Sequence, residues 1–172
     1  MKRSLILAAA LALATPVAAQ EVQFSPDATL ECMEKQRLPG ADDTCIGESA
    51  RVCFQRIKNA SNSDIAACMG KESEYWKGRL DAAFDRMMEL AEVADAEFAE
   101  NAKSKDIPFQ LTTDLEEMRE KWGNWREIRC AVEAMMRRGT PYTMTAAASC
   151  TMKRMGEEAL FLESAITYME TK

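Results

Sequence analysis

Apolar side chains in this sequence recur every three or four residues along four stretches. The first holds Leu80, Phe84, Met87, Ala91, Ala94, Phe98 and Ala102; the second runs through Leu111, Leu115, Met118, Trp122 and Trp125 and continues to Val132 and Met136. A third holds Ala148, Met152, Met155, Ala159, Leu162, Ile166 and Met169, and a shorter fourth holds Ile46, Ala50, Cys53 and Ile57. Steps of three and four put side chains on one face of a helix, so each stretch predicts an amphipathic helix that buries one stripe. No segment alternates with period two for long enough to form a strand. The pattern predicts an all-α protein: a disulfide-bridged antiparallel three-helix core over about 64–104, 112–138 and 143–170, with an N-terminal helical hairpin.

Helix boundaries are marked locally. Ser25-Pro26 offers a cap followed by a proline at the first helical position. Asp42 precedes a helix, and Thr113 with Glu116 forms a capping-box pattern. Pro39-Gly40, the run from Asn59 to Ser63, and Gly139-Thr-Pro-Tyr142 separate helices. Asn59-Ala-Ser61 also matches a glycosylation sequon, which we read as loop.

The first residues have a different character. Met1-Lys2-Arg3 is followed by an apolar run over 5–14 and then by Thr15-Pro16-Val17-Ala18-Ala19, a basic start, short apolar stretch and small-residue site that read as a cleavable secretory signal. The run is about half of the ~20 residues that a membrane-spanning helix needs. The organisation predicted is therefore a signal peptide over 1–19, a disulfide-bridged helical hairpin over 20–62 and a helical domain over 63–172. This export signal suits the bacterial periplasm or secretion, with no transmembrane anchor left after cleavage.

Composition then narrows the chemistry. The 172 residues contain no histidine, so no Ser-His-Asp or Cys-His nucleophile and no His-ligated metal can be assembled. Cleavage after Ala19 leaves 20 basic against 28 acidic residues, a net charge of −8, which argues against a nucleic-acid partner. All six cysteines stay in the mature chain, an even number in an oxidising compartment, and imply three disulfides. Facing residues of a helical hairpin lie about equally far from its turn, and on that arithmetic Cys32 pairs with Cys45, Cys53 with Cys68 and Cys130 with Cys150. The rival pattern joins Cys32 to Cys53 and Cys45 to Cys68.

Other candidate chemistry has a plainer reading. Asp81, Asp85, Glu89 and Glu92, and Glu117 with Glu120, are spaced as in di-metal bundles. Those sites also need a Glu-x-x-His motif, which is missing here. A paired-carboxylate glycosidase needs no histidine. These acids lie off the apolar stripes, however, so a solvated face is the preferred reading. Methionines suit Cu(I), yet most sit at core positions, with Met87-Met88 and Met135-Met136 as the pairs to inspect for exposure. Trp76, Trp122 and Trp125 read as core rather than as a ligand platform. No metal, no cofactor and no catalytic residue is assigned. Arg137 and Arg138 beside Gly139-Thr140-Pro141-Tyr142 form a basic turn, and Arg137, Arg138 and Tyr142 are the candidate partner-binding residues. The plainer alternative is that these arginines complement a helix dipole.

The string Trp122-Gly-Asn-Trp125-Arg126-Glu127-Ile-Arg-Cys130 resembles the Trp-x-x-aromatic-Arg-Asp-x-x-Cys signature of the lysozyme-inhibitor LprI-like family, small secreted bacterial helical domains. Cys68-Met-Gly-Lys-Glu72-Ser-Glu-Tyr-Trp76-Lys-Gly-Arg-Leu80-Asp81-Ala-Ala-Phe84 is similar to the same family's central helix, and Ala147-x-x-Cys150 with Arg154 and Ala159-Leu160-Phe-Leu-Glu163 to its last one. The resemblance covers about residues 65–165. Lys77, Asp81, Phe84 and Glu127 depart from the family's usual Asp, Asn, Tyr and Asp, Met118-Arg119-Glu120 stands where the family has Ala-Gln-Arg, and the Gly-rich segment between the last two cysteines is short. The resemblance implies structural roles for Trp76, Leu80, Trp122, Trp125, Arg126 and Glu127, with Arg126 bonding across helices. It also implies a non-catalytic periplasmic binding protein whose partner is a basic lysozyme. The alternative is a structural or envelope-stress interaction module with a different envelope partner.

Overall fold

The computed structural model describes residues 22–36, 42–102 and 109–171. The expected signal segment over 1–19 and the Pro39-Gly40 turn lie outside them. The described chain is helical, with α1 (Asp27–Lys35), a 3-10 turn (Asp42–Cys45), α2 (Glu48–Gln55), α3 (Asn62–Asn101), α4 (Leu111–Met135) and α5 (Thr143–Glu170), and with no strand among the described residues. Three disulfides, Cys32–Cys45, Cys53–Cys68 and Cys130–Cys150, join neighbours in sequence.

Forty residues make α3 about 60 Å long, and it is the spine on which the rest is laid. Its start is fixed by a capping box: the Ser61 hydroxyl accepts from the Asp64 N–H at 3.2 Å while the Asp64 carboxylate accepts from the Ser61 N–H at 2.8 Å. Two ion pairs tie α3 to α5. Arg79 donates from Nε to one oxygen of Glu163 at 2.8 Å and from a terminal nitrogen to the other at 2.6 Å, and Arg86 meets Glu170 at 2.8 Å. Both pairs span the same offset in sequence, so α3 and α5 run parallel. Burial opposes the charge on Arg79, and its bonds to Glu163 and the Tyr75 hydroxyl outweigh that and raise its pKa. Helix α4 runs the other way: Asp81 of α3 meets Arg119, while Asp95, further along α3, meets the first residues of α4.

The core fills the seam between α3 and α5. Cys68, Trp76, Leu80, Ala83, Phe84, Met87 and Ala91 supply one side; Met152, Met155, Ala159 and Leu162 supply the other; Leu115 of α4, with Ala50 and Cys53 of α2, closes it. The first, third and fourth stripes therefore bury largely as read, although Phe98 is 60% exposed because α3 extends past its partners there. The second stripe does not bury as a whole. Leu115 is buried and Leu111, Met118 and Trp122 are half-buried, but Trp125, Val132 and Met136 are exposed, correcting the expectation of core.

Of two caps expected from neighbouring residues, one is supplied from another helix and one is shifted by a residue. The carboxylate of Asp95 accepts from the N–H groups of Leu111 and Thr112 at 2.9 and 3.0 Å and from the Thr112 hydroxyl, so the start of α4 is held by α3 and not by Thr113 and Glu116. Burial pushes the Asp95 pKa up, but these three bonds prevail and hold it below the usual carboxylate value. At α1 the cap is Pro26, and the Ser25 hydroxyl accepts from the Asp27 N–H at 3.3 Å, which shifts the expected start by one residue.

Helix α2 begins at Gly47, whose φ of +103° suits glycine, and the next contact explains a second glycine. A Cβ built on Gly156 of α5 would lie 2.7, 2.8 and 3.1 Å from three side-chain carbons of Ile46, two of them fixed to the branch point. Gly156→Ala is expected to lower stability by about 1–2 kcal/mol, the overpacking cost exceeding the helix-propensity gain. Urea unfolding in wild-type and Ile46→Ala backgrounds checks this: the penalty should shrink when Ile46 is truncated, and an unchanged penalty refutes the contact.

Candidate functional site

The geometry of α4 separates its length into two parts. Only Leu115, Cys130 and Ala134 are buried along its 25 residues. Cys130 and Ala134 point inward, so Trp125, Ile128, Val132, Met135 and Met136, roughly half a turn round the helix, point away from the bundle. They are 47%, 67%, 53%, 54% and 75% exposed. Tyr142 and Met144, 59% and 55% exposed, extend this apolar surface past the end of the helix. A patch of this kind marks an interaction surface more often than scattered single residues do.

The turn between α4 and α5 is rigid for its length. The Arg137 carbonyl accepts from the Thr140 N–H at 3.1 Å, the Thr140 hydroxyl at 2.7 Å and the Thr143 hydroxyl at 2.7 Å, while the Thr140 oxygen accepts from the Tyr142 N–H at 3.2 Å. Gly139 supplies a left-handed residue at φ +77°, and Cys130–Cys150 staples the two helices on either side. Arg137, Arg138 and Tyr142, the candidate partner-binding residues, all lie exposed here. Arg137 turns back and donates to the Glu133 carbonyl at 2.9 Å, complementing the helix end. The Arg138 side chain bonds to none of the described residues and stands exposed at the tip.

Charge is segregated along the bundle. No acid occurs between Glu133 and Glu157, whereas Arg137, Arg138, Lys153 and Arg154 fall in that interval. Met69 of α3 lines one shallow depression with Arg137 and Tyr142, which places this turn beside the start of α3 and the exposed Arg56 and Lys58 of the loop before it. The far end of α3 carries Asp85, Glu89, Glu92, Asp95, Glu97 and Glu100 against Arg86. Arg56, Lys58, Arg137 and Arg138 thus outnumber Asp64 and Glu133 at one end of an acidic molecule, a distribution that total charge concealed.

The residues of the resembling motif have separate fates. Trp76 is fully buried and Leu80 nearly so, and Trp122 is half-buried under Arg126, whose guanidinium lies 5.2 Å from its ring. Arg126 does reach across to α5, but to the Met155 sulfur at 3.3 Å, and its ion pair is with adjacent Glu127 at 3.3 Å. The Glu127 side chain is itself 72% exposed. Trp125 stands outside the core with the Arg129 guanidinium 5.2 Å from its ring. Of the methionine pairs, Met87 is buried and Met88 half-buried, whereas Met135 and Met136 are both exposed.

Sequence reading missed a buried polar centre. Glu72 of α3 is fully buried, and its carboxylate accepts from the Thr29 hydroxyl at 2.9 Å, the Gly47 N–H at 2.7 Å, the Ala50 N–H at 2.6 Å and the Trp76 indole at 3.1 Å. Thr29 and Ser49 exchange backbone-to-hydroxyl bonds of 2.9 and 3.1 Å beside it. With every donor supplied by the protein, this centre fastens α1 and α2 to α3. A second acid, Glu158, lies half-buried in a cleft of about 210 Å³ between α3, α4 and α5, lined also by Trp122, Arg126 and Arg119. Burial pushes its carboxyl above the usual range. Asp81, which lines the same cleft, is paired with Lys77 and Arg119.

Comparison with known proteins follows this geometry. Residues 53–162 match the family described as Lysozyme inhibitor LprI. A protein of Rhodobacter capsulatus described as an uncharacterized 17.7 kDa protein in the puhA 5′ region is 33% identical over 163 residues, covering 95% of this chain and 97% of its own length. No solved structure matches.

Proposed function

The chain belongs to the lysozyme inhibitor LprI family, and from that premise we propose that it is an exported, non-catalytic protein that binds a lysozyme and blocks its cleft with the α4–α5 turn. The observation that carries the placement is the disulfide-stapled turn with Arg138 exposed at its tip, flanked by Arg137 and Tyr142. Lysozymes cleave the cell-wall polysaccharide with two carboxylates flanking the scissile bond. A guanidinium carried on a rigid turn is a fitting group to set against such a pair, since charge-assisted bonds to carboxylate are the strongest of their class. The acidic body contributes at longer range, because a mature charge of −8 draws a basic enzyme inward at low salt. The leader over 1–19 and the three disulfides support a periplasmic or secreted location.

Calorimetric titration of the mature, oxidised protein against a basic lysozyme, at low and physiological salt and beside a cell-wall lysis assay, tests this. Saturable binding with loss of lysis is expected. Arg137→Ala/Arg138→Ala should bind about ten- to a hundredfold more weakly, the range of an interfacial arginine anchor, with unchanged helical circular dichroism because both side chains are exposed. No heat and undiminished lysis would remove lysozyme as partner and turn the search to other envelope proteins. Binding that survives in the double variant would move the contact away from the turn.

A further inference from the structure

The outward face of α4 is not needed for a turn to enter a cleft, and its pattern fits a different occupant. We infer that the chain pairs with a second copy of itself through Trp125, Ile128, Val132 and Met135, the two α4 helices lying antiparallel about a twofold axis at the level of residue 130. Three observations carry this.

The first is spacing. The four side chains step by three, four and three residues, a series that reads the same from either end, so an antiparallel copy sets Ile128 against Val132 and Trp125 against Met135 on both sides of the axis. Ala131 borders the stripe at the axis and is small enough to let the backbones approach.

Charge supplies the direction. Between residues 114 and 121 lie Asp114, Glu116, Glu117 and Glu120 against Arg119 and Lys121, a net −2; between 126 and 138 lie Arg126, Arg129, Arg137 and Arg138 against Glu127 and Glu133, a net +2. About an axis at residue 130 the stretch 126–134 lies against itself, where Arg126 and Arg129 balance Glu127 and Glu133. Arg137 and Arg138 fall opposite residues 123 and 122 of the other copy, beside its Glu120, and the two helix dipoles oppose, whereas parallel pairing would set like ends on like.

Area is the third. Trp125, Ile128, Val132 and Met135, about half to two-thirds exposed, with the adjoining Met136 and the flanking stems of Arg129 and Glu133, supply on the order of 1,000 Å² over both copies, the lower edge of specific interfaces. The dimer is accordingly weak, with its two basic turns at opposite ends of the paired helices. The inference does not depend on the chain binding a lysozyme.

Sedimentation velocity of the mature, oxidised chain over a concentration series tests it. A reversible dimer with a Kd on the order of micromolar is expected, weakened by salt. Ile128→Glu should remain monomeric at concentrations at least tenfold above that Kd. Its circular dichroism should be unchanged, since the side chain is 67% exposed. Phe161→Glu, which alters an apolar residue 56% exposed on α5, should dimerise as the wild type does. A wild type that stays monomeric into the hundreds of micromolar overturns the inference. So does an Ile128→Glu variant that still dimerises, or one whose only defect is binding to lysozyme or to phosphatidylglycerol vesicles.

Discussion

Glu72→Ala is expected to cost about 3–5 kcal/mol, enough to remove most of the stability of an ordinary small domain. The carboxylate has four donors and no cation: the Thr29 hydroxyl, two backbone N–H groups at the start of α2, and the Trp76 indole. Gly47 and Ala50 are the cap and third residue of α2, so Glu72 does for that helix what a capping side chain does from within, and its negative charge meets the positive end of the dipole. Truncation strands all four donors where no water reaches. Glu72→Gln keeps the volume and one carbonyl oxygen but turns an amide against a donor, and should cost roughly half as much. Urea unfolding gives the free energies. Hydrogen exchange gives the pattern, since amides of α1 and α2 should lose protection in the Gln variant while those of α5 keep it. Equal loss throughout would mean that Glu72 supports the whole bundle and is no local fastening.

What could be read from the sequence follows from how each element is held. Helices α3 and α5 bury continuous stripes against each other, and so hydrophobic period alone located Leu80, Phe84, Met155 and Leu162 in the core. Glu72 escaped because its donors lie up to 43 residues away. There was still a trace: Cys68, Glu72, Trp76 and Leu80 step by four, putting an acid in the middle of a buried face, where a carboxylate needs partners. The same distance effect hid the capping of α4 by Asp95, while Thr113 and Glu116 offered a local pattern that the chain does not use.

Helix α4 failed for the opposite reason. An apolar stripe states that a face is covered but not by what, and half-turn drift divides its positions between two faces: Leu115 and Met118 turn toward α3 and α5, Val132 and Met136 away from them. The basic turn was legible as residues, since Arg137, Arg138 and Tyr142 flank a Gly-Thr-Pro stop. Its place beside the start of α3, in a depression that Glu133 also lines, became visible only when α4, α5 and the start of α3 were brought to one end.

The same geometry makes the Cys130–Cys150 bridge the second decisive element. With three buried residues in 25, α4 has little apolar area holding it to its neighbours, and past Trp122 only Cys130 and Ala134 are buried, with Arg126 reaching the Met155 sulfur of α5. A bridge spanning 20 residues stabilises by about 3 kcal/mol through the entropy it removes from the unfolded chain. Replacing both cysteines by alanine, which strands no buried hydroxyl, should therefore cost about 3 kcal/mol, visible as a lower urea midpoint with the slope little changed. The functional effect should exceed the thermodynamic one. Once unstapled, the last turns of α4 keep few contacts, and a turn that must hold Arg138 in one orientation loses its frame before the bundle melts. Inhibition of lysis should then fall at temperatures where circular dichroism still reports a folded protein. Removing Cys32–Cys45, which lies on α1 and the 3-10 turn, should lower stability while leaving inhibition of the folded fraction intact. Equal loss of inhibition from the two removals would detach the activity from the α4–α5 turn.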